Sequence, residues 1–338
     1  MVKIDTDEFE DREFIDKHNM YSVLEKFPQQ ISDGYRLGEY IKVDGEVDRI
    51  IITGMGGSAL PGDLLKAYLG VYFKIPVIVN KGYELPEYIT SKTLVFAISY
   101  SGNTEETINA YRIAIRKNCH LVSISAGGKL EVLSEKQKIP HIQIPSGLQP
   151  RQALGYLFFS MLRVLVNSKI ISNVSEEVEK TAENLGKDIF REKARELSNK
   201  LVDKIPLIYC SDRLQIIAYK WKINFNENTK IHAFSNVIPE MNHNEIIGFT
   251  NLKGNYHAII LRDEDDNIRI KKRIKITKEL IKKKKVPVTE IALTGSSFLN
   301  KAFSAIYIGD WASYFLALKY KTDPTPVPVI EELKKEMG

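Results

Sequence analysis

The chain has 338 residues, 43% of them hydrophobic, with a formal net charge of +5 and two cysteines. This length predicts two domains of about 150 residues, each with enough chain to bury a core. The cysteine count excludes a disulfide framework and a cysteine-based zinc site, and the modest charge, gathered between Arg269 and Lys285, gives no basis for a nucleic-acid partner.

The opening Met1-Val2-Lys3-Ile4-Asp5 has no apolar signal segment, and no run reaches about 18 apolar residues. The expectation is a soluble, cytoplasmic protein with no membrane partner. Cys119 and Cys210, in or beside apolar runs, read as reduced core thiols. Residues 1–28 are polar and charged and predict a helical arm leading into a first domain at 29–168. Strands are predicted there at Ile50–Thr53, Val77–Asn80, Thr93–Ile98, His120–Ser123 and His141–Ile144, with helices such as Ala59–Leu69 and Glu105–Arg116 between them. A long apolar helix follows at Ala153–Val166, then a charged helical stretch from Glu176 to Val202, with the crossing between domains near 170–190. A second alternating set fills a second domain at 190–338: strands at Pro206–Cys210, Ile231–Ala233, Ala258–Leu261 and Val286–Ile291, and a helix at Phe303–Leu318. The basic stretch 271–285 carries an apolar stripe and reads as a solvated helix face. Strands alternating with helices predict an α/β fold of two domains, each a parallel sheet flanked by helices.

Two loops concentrate the chemistry. Thr53-Gly54-Met55-Gly56-Gly57-Ser58-Ala59 follows the first predicted strand, and Ser99-Tyr100-Ser101-Gly102-Asn103-Thr104 follows the third. On a parallel sheet such loops lie at the carboxyl ends of the strands, where ligands bind. Glycine lets backbone N–H groups approach an anion, hydroxyls add donors, and the following helix dipole favours negative charge. The pair suits a phosphorylated small molecule, and one hydroxyl of the second loop is expected to cap the following helix. Gly54-x-Gly56-x-x-Ala59 also fits a dinucleotide fingerprint, but the second strand ends Val79-Asn80-Lys81-Gly82, without the acid that would bind a ribose.

The second loop resembles the sugar-isomerase (SIS) domain signature. The resemblance extends along the chain through Pro150-Arg151-Gln152-Ala153, Asn226-Glu227-Asn228, Pro239-Glu240-Met241-Asn242-His243-Asn244-Glu245 and Asp323-Pro324-Thr325-Pro326-Val327, with Leu333-Lys334 near the end. In this order the motifs are similar to those of the bifunctional phosphoglucose/phosphomannose isomerases of archaea and some bacteria. The resemblance implies that Gly57, Ser58, Ser99, Ser101 and Thr104 bind phosphate and that Arg151 sits over the reacting carbons. It implies that Glu227 is the catalytic base and His243 the ring-opening histidine, supplied from a neighbouring subunit of a homodimer. It further implies a place in the site for Lys334 and a link between Thr325 and the use of mannose 6-phosphate.

The implied chemistry suits these side chains. Aldose–ketose interconversion moves one proton between C1 and C2 through an enediol, which a single carboxylate can accept and return. The charge developing on the enediolate oxygen calls for a fixed cation, and arginine is planar and permanently charged. Ring opening needs a proton donor, for which histidine and lysine serve. No step calls for a metal or redox cofactor. Taken singly, each residue has an ordinary structural reading: Glu227 a surface loop, His243 a polar turn, Arg151 an ion pair, Lys334 a solvated helix face. The alternatives are a non-catalytic sugar-phosphate sensor and an isomerase for another sugar phosphate. A sensor needs none of Glu227, His243 and Arg151, and no helix-turn-helix is evident.

Overall fold

The computed structural model describes residues 12–70 and 73–337, apart from the side chains of Lys334 and Met337. The first 11 residues of the expected arm lie outside the described residues. The chain forms two units: one gathers Lys26–Gly186 with Ser297–Asn300, the other Lys187–Ser296 and Lys301–Gly338 with the described part of Met1–Glu25.

Helices α1 (Arg12–Ile15) and α2 (Met20–Glu25) open the described chain and belong to the second unit. Buried Asp16 accepts hydrogen bonds from the Met20 and Tyr21 N–H groups at 2.7 and 2.9 Å, which starts α2. It also accepts one from the Tyr314 hydroxyl at 3.0 Å.

In the first unit the chain runs through α3 (Phe27–Leu37), β1 (Arg49–Thr53), α4 (Leu60–Leu69), β2 (Val77–Asn80), β3 (Thr93–Ile98) and α5 (Glu105–Arg116). It continues through β4 (His120–Ser125), α6 (Gly128–Gln137), β5 (His141–Gln143), α7 (Leu154–Asn167) and α8 (Ser175–Leu185). The strands form one parallel sheet in the order β2-β1-β3-β4-β5. Every residue of β3 is buried, as a central strand covered on both faces requires. The chain leaves β1 toward one edge and returns as β3 on its other side. The loops after β1 and β3 therefore diverge and open a crevice between them.

The second unit runs through α9 (Ile189–Leu201), β6 (Ile205–Ser211), α10 (Gln215–Glu227), β7 (Phe234–Ile238), β8 (Tyr256–Arg262), α11 (Ile268–Lys283), β9 (Val288–Ala292), α12 (Phe298–Lys319) and α13 (Pro328–Met337). Its parallel sheet has the order β7-β6-β8-β9, the plan of the first sheet repeated without a fifth strand. The α/β architecture with two parallel sheets is the one the sequence predicts. The strand expected at Ile231–Ala233 lies instead at Phe234–Ile238, an edge strand whose half-exposed pattern lacks the continuous apolar run of a central one. The charged stretch expected as one helix divides at Gly186 into α8 and α9. The basic stretch forms α11, which buries Ile274, Thr277 and Ile281 and leaves Lys272, Lys275, Lys282 and Lys283 in solvent.

Candidate active site

The hydroxyl-rich loop after β3 is folded tightly upon itself. The Ser99 and Thr104 hydroxyls share a hydrogen bond of 2.8 Å, and the Thr104 N–H donates to Ser99 Oγ at 3.4 Å. Ser99 is completely buried, Thr104 half-buried and Ser101 exposed. The Ser58 hydroxyl, from the loop after β1, accepts a hydrogen bond from the Tyr100 N–H at 3.0 Å and ties the two loops together. Thr104 is the N-cap residue of α5, yet its side chain caps no helical N–H group. The expected hydroxyl cap is therefore absent, because Ser99 engages the Thr104 hydroxyl. The first turn of α5 is left with donors for an anion.

The loop after β4 grips this loop from outside. Gly102 has φ +67°, and a Cβ there would stand 1.7 Å from the Gly127 carbonyl oxygen, so no other residue fits. The Leu130 N–H donates to the Gly102 carbonyl at 2.9 Å, and the Lys129 N–H donates to Asn103 Oδ1 at 3.1 Å.

Arg151 belongs to the same unit. It sits in a single helical turn, Pro150–Gln152, braced by the Gln149 N–H donating to Gln152 Oε1 at 3.0 Å, and is 2% exposed. A Cβ on Gly57 would lie 2.7 Å from the Arg151 nitrogen, so the glycine lets this turn approach the first loop. The Tyr100 hydroxyl donates to the Pro145 carbonyl at 3.1 Å and accepts from the Leu148 N–H at 2.7 Å, fixing the segment that leads to Arg151. Gly57, Ser58, Ser99, Thr104 and Arg151 are thus brought together at the β1/β3 switch point, with Ser101 on the rim. The end of β2, where a dinucleotide site would need an acid, is occupied by Asn80, whose amide donates to Thr53 Oγ1 at 3.3 Å and the Gly82 carbonyl at 2.9 Å.

The second unit carries Glu227, His243 and Thr325. Glu227, half-buried, is the last residue of α10. Lys230 donates to the Glu227 carbonyl and, at 3.4 Å, to the Pro324 carbonyl. This places the turn at Asp323–Thr325, closed by the Thr325 N–H on Asp323 Oδ1 at 3.0 Å, beside the end of the helix that carries Glu227. His243 is not brought to this point. It is exposed, in a short helical turn Glu240–His243 that follows β7. Helix α10 returns from the far end of β6 to the start of β7, so Glu227 precedes the strand and His243 lies beyond it. The 5 residues of β7 span about 16 Å between them.

Glu245 anchors the His243 segment, accepting from the Tyr209 hydroxyl at 2.7 Å and the Asn236 amide at 2.6 Å. Burial, with Glu245 adding to it, pushes the Tyr209 hydroxyl pKa upward and keeps it a donor. Lys334 falls on α13, with its side chain outside the described residues. A cavity of about 430 Å³ in this unit is lined by Tyr209, Phe234, Glu245, Phe249 and Tyr256 among others, and by neither Glu227 nor His243. Among the described residues no group of three or more His, Cys, Asp or Glu side chains could hold a metal ion. No described helix is long and apolar enough to cross a membrane. Tyr100, Asn103 and Lys230 carry much of this geometry, and only their position within or beside the motifs marks them in the sequence.

A parallel sheet with hydroxyl-rich loops at its switch point defines an SIS-domain protein. Residues 46–146 match the SIS domain, and residues 190–337 match the bacterial phospho-glucose isomerase C-terminal SIS domain. The chain is 42% identical to a bifunctional phosphoglucose/phosphomannose isomerase of Caldicellulosiruptor bescii, over 94% of this chain and 99% of that one. It is 34% identical to a protein of the same description from Aquifex aeolicus, over 85% and 90% of the two chains. The chain belongs to the bifunctional phosphoglucose/phosphomannose isomerase family. Among solved structures, a hypothetical protein of Thermus thermophilus shares the fold with a TM-score of 0.75 at 17% identity, over 93% and 88% of the two chains.

Proposed function

We propose that this protein is a metal-independent aldose–ketose isomerase, acting in the cytoplasm as a homodimer. It interconverts glucose 6-phosphate and mannose 6-phosphate with fructose 6-phosphate. The observation that carries the reading is the uncapped start of α5 inside a braced hydroxyl loop, with buried Arg151 held against the neighbouring loop. Ser101, Thr104, the Gly57 backbone and the first turn of α5 bind the phosphate, while Ser58 and Ser99 brace them. This remote anchoring orients the reactive end of the sugar.

In ring opening the C1–O5 bond breaks as O5 takes a proton from His243, with Lys334 assisting, and the C1 hydroxyl gives its proton to solvent to become the aldehyde. Glu227 then removes the proton from C2 of the open aldose, and the electron pair moves through the C1–C2 enediolate. Arg151 balances the oxygen charge, the hydroxyl proton passes from O2 to O1, and Glu227 returns the carbon-bound proton to C1, which leaves the carbonyl at C2. Glucose and mannose phosphates differ only at C2 and give the same enediol, so one base serves both when rotation about C2–C3 presents either face. Thr325, beside the Glu227 helix end, bears on that choice. The homodimer is supported by the exposure of His243 and its place across β7 from Glu227, which suit a histidine supplied to the neighbouring protomer.

The test feeds glucose 6-phosphate and mannose 6-phosphate separately, in EDTA, and measures fructose 6-phosphate. Turnover of both is expected. Binding of sugar phosphates without turnover would favour the sensor, and loss of all activity in EDTA would remove the metal-independent mechanism.

A further inference from the structure

Helix α10, which carries Glu227, is bolted to α12 by polar groups where apolar ones would serve packing as well. Lys220, Asn224 and Asn228 recur every fourth residue along one face of α10 and its C-terminal end. Lys220 Nζ donates to Asp310 Oδ1 at 2.6 Å and to Asn224 Oδ1 at 2.7 Å. Asn224 donates in turn to the same Asp310 oxygen. The Lys220 and Asp310 side chains are 3% and 7% exposed. One turn further on, the Asn228 amide donates to Ser313 Oγ at 2.9 Å, and the Thr229 hydroxyl donates to the Ser313 carbonyl at 2.9 Å. The Ser313 hydroxyl itself donates to the Asp310 carbonyl at 2.9 Å. The Trp221 Nε1–H donates to the Ala305 carbonyl at 2.9 Å and fixes the other end of the row.

A buried ion pair adds little stability over apolar residues of similar volume, because desolvating both charges offsets their attraction. What a connected polar row adds is uniqueness: its donors meet its acceptors in one register only, which opposes sliding or rotation of the helices against each other. The row ends at Asn228 and Thr229, the residues directly after Glu227. We propose that this ladder, centred on Asp310 and Ser313, is a positioning device that fixes the carboxylate of Glu227 for proton transfer. Asp310 and Ser313 are positioning residues for the reaction, resting on the reading of Glu227 as the base. A displacement of about 1 Å at a reacting group can cost about 100-fold in rate.

The test compares kcat, KM and melting temperature for wild type, the apolar pair Lys220→Met/Asp310→Leu, Ser313→Ala and Ser313→Thr, with Glu227→Gln beside them. The apolar pair strips both partners from buried Asn224 and should melt a few degrees lower, yet fully folded at the assay temperature it should keep KM within about twofold while kcat falls about 10- to 100-fold. Ser313→Ala removes the hydroxyl that accepts from the buried Asn228 amide and should lower the melting temperature by a few degrees and kcat about three- to tenfold with KM unchanged, and Ser313→Thr, which keeps the hydroxyl, should recover both. A folded apolar pair with wild-type kcat overturns the proposal while the role of Glu227 stands. If the pair does not fold, a wild-type kcat in Ser313→Ala overturns it. Full activity in Glu227→Gln overturns both the base and the ladder that would position it.

Discussion

The two sheets are built on one plan and use it oppositely. Both place the chain's first strand beside the middle of the sheet, so the switch point falls between β1 and β3 in one and β6 and β8 in the other. In the first unit the loops at that point are glycine and hydroxyl residues around an uncapped helix start. In the second they read Ser211-Asp212-Arg213 and Asp263-Glu264-Asp265-Asp266. Asp263 is 1% exposed, and Lys301 answers it and Asp265 with hydrogen bonds of 2.7 and 2.5 Å. Burial raises the Asp266 pKa and Asp263 adds to it, as in a crowded acidic site. The five acids of these two loops, against Arg213 and Lys301, oppose an anion. The second unit instead presents Glu227 and the Thr325 turn at the other end of its strands. The topology supplies a crevice in both units, and on the phosphate role proposed above the charge of a few loop residues decides between them.

The largest effect should come from the proton-transfer groups. Glu227→Gln should lower kcat about 1,000-fold or more while fructose 6-phosphate still binds in a titration. If His243 acts across a dimer, mixing and reassembling Glu227→Gln with His243→Ala chains should restore about a quarter of wild-type turnover, since half the dimers are mixed and each has one intact site. No recovery in verified mixed dimers would return His243 to its own protomer or remove it from the reaction.

Next in size is a change that gives the first unit the charge of the second. Ser101→Asp sets a carboxylate against the phosphate and should raise KM about 100-fold with a smaller change in kcat, an effect that weakens as salt is added. Asp265→Asn in the second unit should leave KM within about twofold. An equal response in the two would end the contrast drawn between the loops. Smaller still, Thr325→Ala should shift the ratio of mannose to glucose 6-phosphate turnover about three- to tenfold, read as the two kcat/KM values.

The smallest effect concerns stability. His257 in the second unit, bonded to the Thr289 hydroxyl at 2.8 Å, has its pKa pushed down to about 4 by burial and by Lys200 and Lys204. His141 in the first is also lowered by burial. The unfolded chain takes up the His257 proton near pH 6.5, the folded one only near 4, so the folded state loses stability as pH falls through that window. His257→Gln should flatten that slope in denaturant titrations between those pH values, and an unchanged slope would place the effect on other groups.

The legible parts of the sequence are those whose local pattern and tertiary role agree. Thr93–Ile98 followed by Ser, Thr and paired glutamates shows both a central strand and a helix start, and β3 and α5 lie where the pattern sets them. Phe234–Ile238 is read poorly because an edge strand needs burial on one side only, and Ser235 and Asn236 dilute its signal. The allegiance of α2 is not written locally at all. It depends on Asp16 meeting Tyr314, 298 residues away. At the site, the motifs mark Ser99 and Ser101 alike, yet one is sealed inside the loop and the other faces solvent. Spacing does not encode that division, because the shared hydrogen bond with Thr104 and the grip of the next loop produce it.

That grip has a thermodynamic consequence for the ligand. The Gly102 backbone lies against the Gly127 carbonyl and is tied through Asn103 and Leu130, so the protein's own contacts hold the loop in one shape. On the phosphate role proposed for it, an entering phosphate should find the ordering entropy settled at folding and spend little of its contact energy on arranging the loop. Calorimetry of inorganic phosphate or a sugar phosphate should then report a heat-capacity change set by the surface the ligand itself covers, without the larger decrement that accompanies a loop folding on arrival.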